Sequence, residues 1–334
     1  MRVPELTAVD LVALAAHRRL TNFAGAARGI PAVIVELGSA ADSVDAPLAV
    51  DSELALLPAV LIGVGRAQDA ALVDVVAADL PAAYALVEHV DRTSSAATAL
   101  ALLLRHGAAR NIAAGLVAES TTYSMLQGSA AFREWRQSRS QQPPSSDEEP
   151  PVRLEQHDHE LHVVLHRPRR HNALSTAMSE LLVEALTDAL ADPSMRVVLR
   201  GDGPSFCSGG DLGEFGSFPD PALAHAVRLS RSAGHLVHLL GDRVEVRVHG
   251  ACIGAGIEVP AFAPRVVAHP DARIALPELA LGLVPGAGGT VSIPRRIGRH
   301  RTMRLALTGE TIDATTAREW GLVDDVTERA APAG

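Results

Sequence analysis

Three glycine-rich segments in the second half of this 334-residue chain hold the side chains best suited to chemistry. The first is Ser205-Phe-Cys-Ser-Gly-Gly-Asp-Leu212, and the second is Val248-His-Gly-Ala-Cys-Ile-Gly-Ala-Gly-Ile-Glu258. The third is Leu276-Pro-Glu278, which continues to Gly282-Leu-Val-Pro-Gly-Ala-Gly-Gly289. Backbone N–H groups in such turns can meet an oxygen on which negative charge develops, without a side chain in the way. A coupled pair of carboxylates can divide the general-base and general-acid roles between them. A glutamate beside a helix start is, on its own, far more often a cap or a solvated charge. The case therefore rests on the segments together.

Other chemistries fall away. All 30 basic residues are arginine, so there is no lysine nucleophile or Schiff base. Phosphate contacts then fall to Arg, His, backbone N–H groups or helix ends. The Gly254-Ala-Gly256 turn lacks the rest of a dinucleotide fingerprint, and no Gly-x-Ser-x-Gly elbow is present. Cys207 and Cys252 are the only two cysteines. They read as small packed residues, with neither a disulfide framework nor a metal cluster. His249 reads as structural.

Two further stretches flank these segments: Leu165-His-Arg-Pro-Arg-Arg-His-Asn-Ala-Leu174 before them, and Leu307-Thr-Gly-Glu with Ala317-Arg-Glu-Trp-Gly-Leu-Val323 after. In that order and spacing, residues 152–327 resemble the crotonase family, which includes enoyl-CoA hydratases. The resemblance implies an acyl-CoA thioester substrate, coenzyme A being part of it, with no separate cofactor and no metal. It implies an oxyanion hole from the backbone N–H groups of Ser208 and Ala255, each donor worth ~10²–10³ in rate. The family usually has glycine at the position of Ala255. It also implies that Glu258 and Glu278 are the paired catalytic glutamates that hold the water. Glu258 would act as its base, and Glu278 would deliver a proton to the α-carbon. Isomerases of the superfamily often manage with one carboxylate, so the pair favours reversible hydration of a trans-2-enoyl-CoA. Double-bond isomerisation and a non-catalytic acyl-CoA-binding subunit are the alternatives.

The same resemblance places Phe206, Cys207, Gly209, Gly210, Asp211, Leu212 and Gly254 along the substrate, with Asp211 chiefly anchoring its turn. Arg167, Arg169 and Arg170 are candidates for the coenzyme A phosphates, against the alternative of a solvated basic surface. Phe215, Phe218 and Leu283 are candidates for the acyl pocket. Pro260 suits a first helical turn, whereas Pro264 ends or kinks the helix that carries Glu258. A homo-oligomer, trimer or hexamer, is the family expectation.

The elements that must hold these residues alternate in type. Val152–His157 and Leu161–His166 read as a hairpin. Ser175 caps a helix through Leu190 with an apolar face of Met178, Leu181, Leu182, Ala185, Leu186 and Ala189. Strands follow at Arg196–Leu199, Val244–Val248, Arg265–Ala268 and Arg273–Leu276. A helix lies between Pro221 and Leu240, others at Gly288–Ile297 and Arg299–Leu307, and Asp313 caps one more. The fold class is α/β, and the resemblance implies a crotonase-like spiral of repeated ββα units.

Residues 137–151, QSRSQQPPSSDEEPP, read as a linker, because so polar a segment cannot offset its ordering entropy by burial. They separate a mainly helical, Ala-rich region (1–136) from the catalytic domain (152–330). The first region has helical spacing at Ala96–Leu104 and Ile112–Leu126, and strand-like runs at Ala32–Leu37 and Pro58–Val64. The family's closing helical module would follow Val323, yet residues 94–136 resemble it loosely, through an Ala/Leu helix, Gly115-Leu-x-x-Glu119 and the late Phe132. A permuted module and an unrelated helical domain are both open. The net charge of −9 argues against nucleic-acid binding. The N-terminal sequence has no continuous apolar core and Leu54–Val64 is too short to span a bilayer, so a cytoplasmic protein without membrane insertion is expected.

Overall fold

A computed structural model describes residues 3–17, 19–20, 24–25, 29–38, 53–65, 71–139, 149–218 and 220–328. The first half opens with β1 (Glu5–Thr7), α1 (Ala8–Ala16), β2 (Ala32–Leu37), β3 (Val60–Gly65) and β4 (Val75–Ala77). These strands form one parallel sheet in the order β1-β2-β3-β4. A parallel sheet covered on both faces reads as continuous apolar runs, and AVIVEL and VLIGVG are such runs. Side chains alternate across it: Ala32 and Ile34 join the main core of the molecule, while Val33, Val35 and Leu37 join a smaller cluster with Leu11, Val12 and Leu57. Four helices follow: α2 (Leu80–Arg92), α3 (Ser94–Arg105), α4 (Ile112–Gln127) and α5 (Ala130–Ser138). Asp79, Asn111 and Ser129 cap α2, α4 and α5 by accepting from N–H groups in their first turns. The first region is thus mainly helical but begins with a sheet, because short β-branched runs lie within its Ala-rich composition.

Of the proposed linker, Gln137 and Ser138 belong to α5, and residues 140–148 lie outside the described residues. The second half starts with the hairpin β5 (Val152–His157) and β6 (Glu160–Leu165). After α6 (Thr176–Ala191) come β7 (Arg196–Gly201), α7 (Pro221–Ser230), α8 (Ala233–Leu240) and β8 (Val244–Val248). The single helix expected between Pro221 and Leu240 is therefore two, with Ser232 capping the second through the His235 N–H. Then follow β9 (Ala251–Ile253), α9 (Ala255–Glu258), β10 (Arg265–Ala268) and β11 (Arg273–Ala275). The chain continues through α10 (Gly289–Ile297), α11 (Arg299–Thr308), β12 (Ile312–Asp313), α12 (Ala314–Trp320) and β13 (Asp325–Val326).

Six strands lie in the order β13-β10-β8-β7-β6-β5, and β12-β11-β9 form a small second sheet. Between β6 and β13 every pairing in the large sheet is parallel. Ser175 and Asp313 cap α6 and α12 as the sequence suggests.

One apolar cluster runs through both halves, from Ile34 and Leu100 to Leu186, Val246 and Ile293. A buried ion pair reinforces the junction. Arg105 holds Asp74 at 2.6 Å and also donates to the carbonyls of Leu57 and Ala59. From α11, Arg299 approaches Asp74 at 3.5 Å and donates to the Ala71 carbonyl. Among the described residues, no helix is long and apolar enough to cross a membrane.

Candidate active site

The loop after β7 is tied down first. Asn172 is buried with φ of 52°; its amide donates to the carbonyls of Asp202 (2.8 Å) and Ser205 (2.7 Å), and its oxygen accepts from the Arg167 N–H. Residues 206–207 then pair with the strand leading into β9: Phe206 N–H with the His249 carbonyl, Cys207 N–H with the Ala251 carbonyl, and Ile253 N–H with the Cys207 carbonyl. This pairing sets the loop against the start of α9. The approach is so close that a Cβ at Gly256 would lie 2.2 Å from the Cys207 carbonyl oxygen. His249 is buried and bonds the Gly203 carbonyl, a structural role.

Glu258 sits at the end of α9, 2% exposed. The helix ends at Glu258 itself and a separate 3-10 turn follows at Pro260–Phe262, so both Pro260 and Pro264 lie beyond the helix that carries the carboxylate. One of its oxygens, Oε2, accepts from the N–H groups of Ala287 (2.7 Å) and Gly289 (2.9 Å) at the start of α10. Glu278 opens the turn after β11, also buried at 8% exposed, and its Oε2 has no hydrogen-bond partner. Both carboxylates face Gly254, whose φ is 52°. A Cβ there would meet Glu278 Oε1 at 2.3 Å and Glu258 Oε1 at 3.7 Å, so only glycine leaves the two room.

A third buried carboxylate comes from the first half. Glu119 on α4 accepts from the Gly288 N–H (2.7 Å), the Thr290 N–H (2.8 Å) and the Thr290 hydroxyl (2.7 Å). The N-terminus of α10 thus receives Glu258 and Glu119 on alternating N–H groups. Burial is the main cause that raises all three acids, Glu258 to about 7, Glu119 to about 8 and Glu278 well above the ordinary carboxylate range. Glu258 adds like-charge repulsion on the other two, whereas its own N–H donors pull it back down. Burial thus favours the protonated form of Glu278, while the two N–H donors favour the carboxylate of Glu258.

A cavity of about 300 Å³ opens over these acids, lined by Ala255, Gly210, Asp211, Phe215, Phe218 and Leu174 among others. Helices of the first half wall it. Tyr123 lines it and leaves no space for a Cβ at Gly286, 2.5 Å away, while Trp135 on α5 meets Phe215 at 6.1 Å between ring centroids.

The remaining residues expected at the site divide. Ala255 lines the cavity, and among the described residues its N–H has no acceptor. The Ser208 N–H is different: it donates to the His171 carbonyl at 2.9 Å, so it is already engaged. Arg167 is corrected outright. It is 4% exposed and turned inward, donating to the Ala173 carbonyl and to Asp211 (3.1 Å), which makes it a brace for the Gly209–Asp211 turn rather than a phosphate ligand. Asp211 also accepts from the Gly213 N–H, in keeping with an anchor. Arg169 and Arg170 are exposed on a 3-10 turn. Phe206, Cys207 and Gly209 lie buried beneath the loop, and Leu212 is exposed. Leu283 is a second correction: fully buried in the core, it does not line the cavity, whereas Phe215 and Phe218 do. Burial lifts the Cys207 thiol to about 11 and the Cys252 thiol well above its ordinary value, so both stay protonated packing residues. Glu119 and Tyr123 were not identified from sequence as site residues; their only trace was the Gly115-Leu-x-x-Glu119 segment.

The model of the enoyl-CoA hydratase/isomerase family matches residues 158–331, the stretch that holds the glycine-rich loops with Glu258 and Glu278. The chain belongs to that family. It is 36% identical over 167 residues to the 2,3-dehydroadipyl-CoA hydratase of Escherichia coli, a match covering 50% of this chain and 65% of the relative. It is 33% identical over 184 residues to the (E)-benzylidenesuccinyl-CoA hydratase of Thauera aromatica, covering 54% and 71%. A crystal structure of enoyl-CoA hydratase from Mycobacterium smegmatis aligns with 54% of this chain and 70% of its own at 32% identity, with a TM-score of 0.48. The chain spans about two-thirds of the length of the first curated relatives it matches, at 65%, 64% and 66%. Among the family's paired features, Glu258, Glu278 and the two glycine-rich turns lie within the matched stretch, whereas Glu119 and Tyr123 lie outside it.

Proposed function

We propose that the chain adds water reversibly across the 2,3 double bond of an enoyl-CoA thioester. One observation carries this: two buried carboxylates flank a single cavity, one fixed by two backbone N–H donors and the other with an oxygen, Oε2, left without a partner. In the addition, ionised Glu258 takes a proton from water as its oxygen attacks C3. Protonated Glu278 then gives a proton to C2 of the enolate-like intermediate. The Ala255 N–H, open into the cavity, donates to the thioester oxygen as charge develops on it. The Ser208 N–H joins it by sharing its bond to the His171 carbonyl. Isomerisation would need only one carboxylate to carry a proton between two carbons, and it leaves the second acid without a task.

We further propose that α3–α5 supply the family's closing helical module from the N-terminal side. The contacts of Glu119, Tyr123 and Trp135 with the site support this. The reaction is tested by mass analysis of crotonyl-CoA after incubation with the protein. Hydration yields the 3-hydroxyacyl product, heavier by one water. An unchanged mass with a shifted double bond would instead assign isomerisation.

A further inference from the structure

Arg228 is the one guanidinium of α7 that reaches the catalytic cavity, and it also lines a second chamber of about 180 Å³. The two spaces share Leu174, Ser179, Arg228, Arg231, Gly286 and Ala287, and the second runs on to Leu116, Glu119 and Ser120. An acyl chain extending past Glu258 and Glu278 would therefore pass Arg228.

Every hydrogen-bond and ring partner of this half-buried arginine is neutral. Its Nε donates to the Ser120 hydroxyl at 3.1 Å, and its Nη2 to Ser124 and, weakly, to the Ser120 carbonyl at 3.4 Å. The guanidinium lies over the Tyr123 ring, 4.8 Å from the centroid. Among the described residues, no carboxylate comes within 4.0 Å of it, and Nη1 has no acceptor. Four other withdrawn arginines do have one: Arg105 pairs with Asp74, Arg167 with Asp211, Arg200 with Glu155, and Arg296 with Asp324; Arg243, which like Arg228 has none, is held by three backbone carbonyls instead. Arg231, at the shared boundary, is taken by Glu180 at 2.7 Å. Glu119 attracts the guanidinium electrostatically but has both oxygens committed to the start of α10. A guanidinium cannot lose its charge to escape burial, so a withdrawn, unpaired one is costly until an anion arrives. Two of its edges are pinned by serines and an aromatic face, which fixes the orientation of the remaining donors. A carboxylate matches that planar set of donors.

We infer that the acyl group bound here carries a carboxylate at the end remote from the thioester, and that Arg228 receives it between the two chambers. The inference rests on the acyl-CoA reading of the site, and it narrows the substrate to acidic acyl thioesters. The methylenes between the two ends would lie along Leu174, Phe215 and Val227.

Calorimetry on the full chain tests this with saturated ligands that cannot be hydrated: a six-carbon ω-carboxyacyl-CoA against hexanoyl-CoA. A charge-assisted hydrogen bond of this kind predicts tighter binding of the acidic ligand by about 10- to 100-fold. Arg228→Gln should abolish that preference while leaving the affinity for hexanoyl-CoA within about threefold, and Arg228→Lys should restore part of it. Ser124→Ala, which removes a partner but not the charge, should keep the preference. Equal or better binding of hexanoyl-CoA by the unmodified protein would overturn the inference. So would a parallel loss of both ligands in Arg228→Gln, which would make Arg228 only a latch between α7 and α4. If neither ligand bound, the acyl-CoA reading itself would fall, and this inference with it.

Discussion

Each half of the molecule has a run of parallel strands, four in the first (β1-β2-β3-β4) and five in the second (β6-β7-β8-β10-β13), yet they serve the site differently. In the second half the loops leaving β7 and β8 carry the glycine-rich turns, and two buried acids follow from them in the chain. In the first half the contribution comes from the helices beyond the sheet, with Glu119 and Tyr123 on α4 and Trp135 on α5. A twisted parallel sheet is a rigid frame on which loops can be built. What sets one frame apart is the convergence of the open Ala255 N–H and poorly solvated carboxylates at its edge. The other frame, packed through Asp74, Arg105 and Arg299 onto α11, holds a wall in place.

Replacing either second-half acid should sharpen this contrast most. Glu278→Gln is expected to lower kcat by about 10²–10⁴-fold with acyl-CoA affinity retained, and Glu258→Gln comparably. Steady-state kinetics beside a direct binding measurement check it; a variant with normal kcat would remove that acid from the chemistry.

A smaller loss is expected from the first half. Glu119→Ala strips the start of α10 of three hydrogen bonds, leaving the buried N–H groups of Gly288 and Thr290 unsatisfied at about 1–3 kcal/mol. Because the same helix start holds Glu258, kcat should fall by roughly tenfold along with the melting temperature. A protein that melts earlier but turns over normally would confine Glu119 to stability.

The effect of pH separates the roles of the acids. Glu258 must be ionised, so the rate should rise as pH passes through about 7, and it should fall again where Glu278 loses its proton. Stability moves the opposite way to that first rise. The folded protein holds these acids protonated above the value near 4.5 that they have when unfolded. Their contribution is therefore full below that pH and is lost as pH climbs through about 7 to 8. Thermal melts from pH 5 to pH 9 check the sign. Least of all, Ala255→Gly should alter kcat by less than about threefold, because the donor is the backbone N–H, which either residue supplies.

The second half was largely legible in the sequence, for a physical reason. Turns that present N–H groups beside buried acids demand glycine where a Cβ cannot fit, as at Gly254 and Gly256, and such demands leave fixed local motifs. The capping by Ser175 and Asp313 is local in the same way. What could not be read depends on the folded arrangement. Arg167 follows a strand and precedes a proline, which gives no sign that it turns inward to Asp211. Leu283 and Phe215 are both apolar, and only packing decides that one fills the core while the other faces the cavity. Glu119 is separated from its partners Gly288 and Thr290 by 169 and 171 positions, a contact no local pattern encodes.

The central claim is that the paired glutamates hydrate an enoyl thioester. It is tested most directly by the ultraviolet absorbance of the conjugated thioester when crotonyl-CoA, and an ω-carboxy enoyl-CoA of similar length, is mixed with the protein and with Glu278→Gln. The account predicts that absorbance decays with the unmodified protein and that the variant, still binding the thioester, leaves it constant. Decay at an undiminished rate in Glu278→Gln would contradict it.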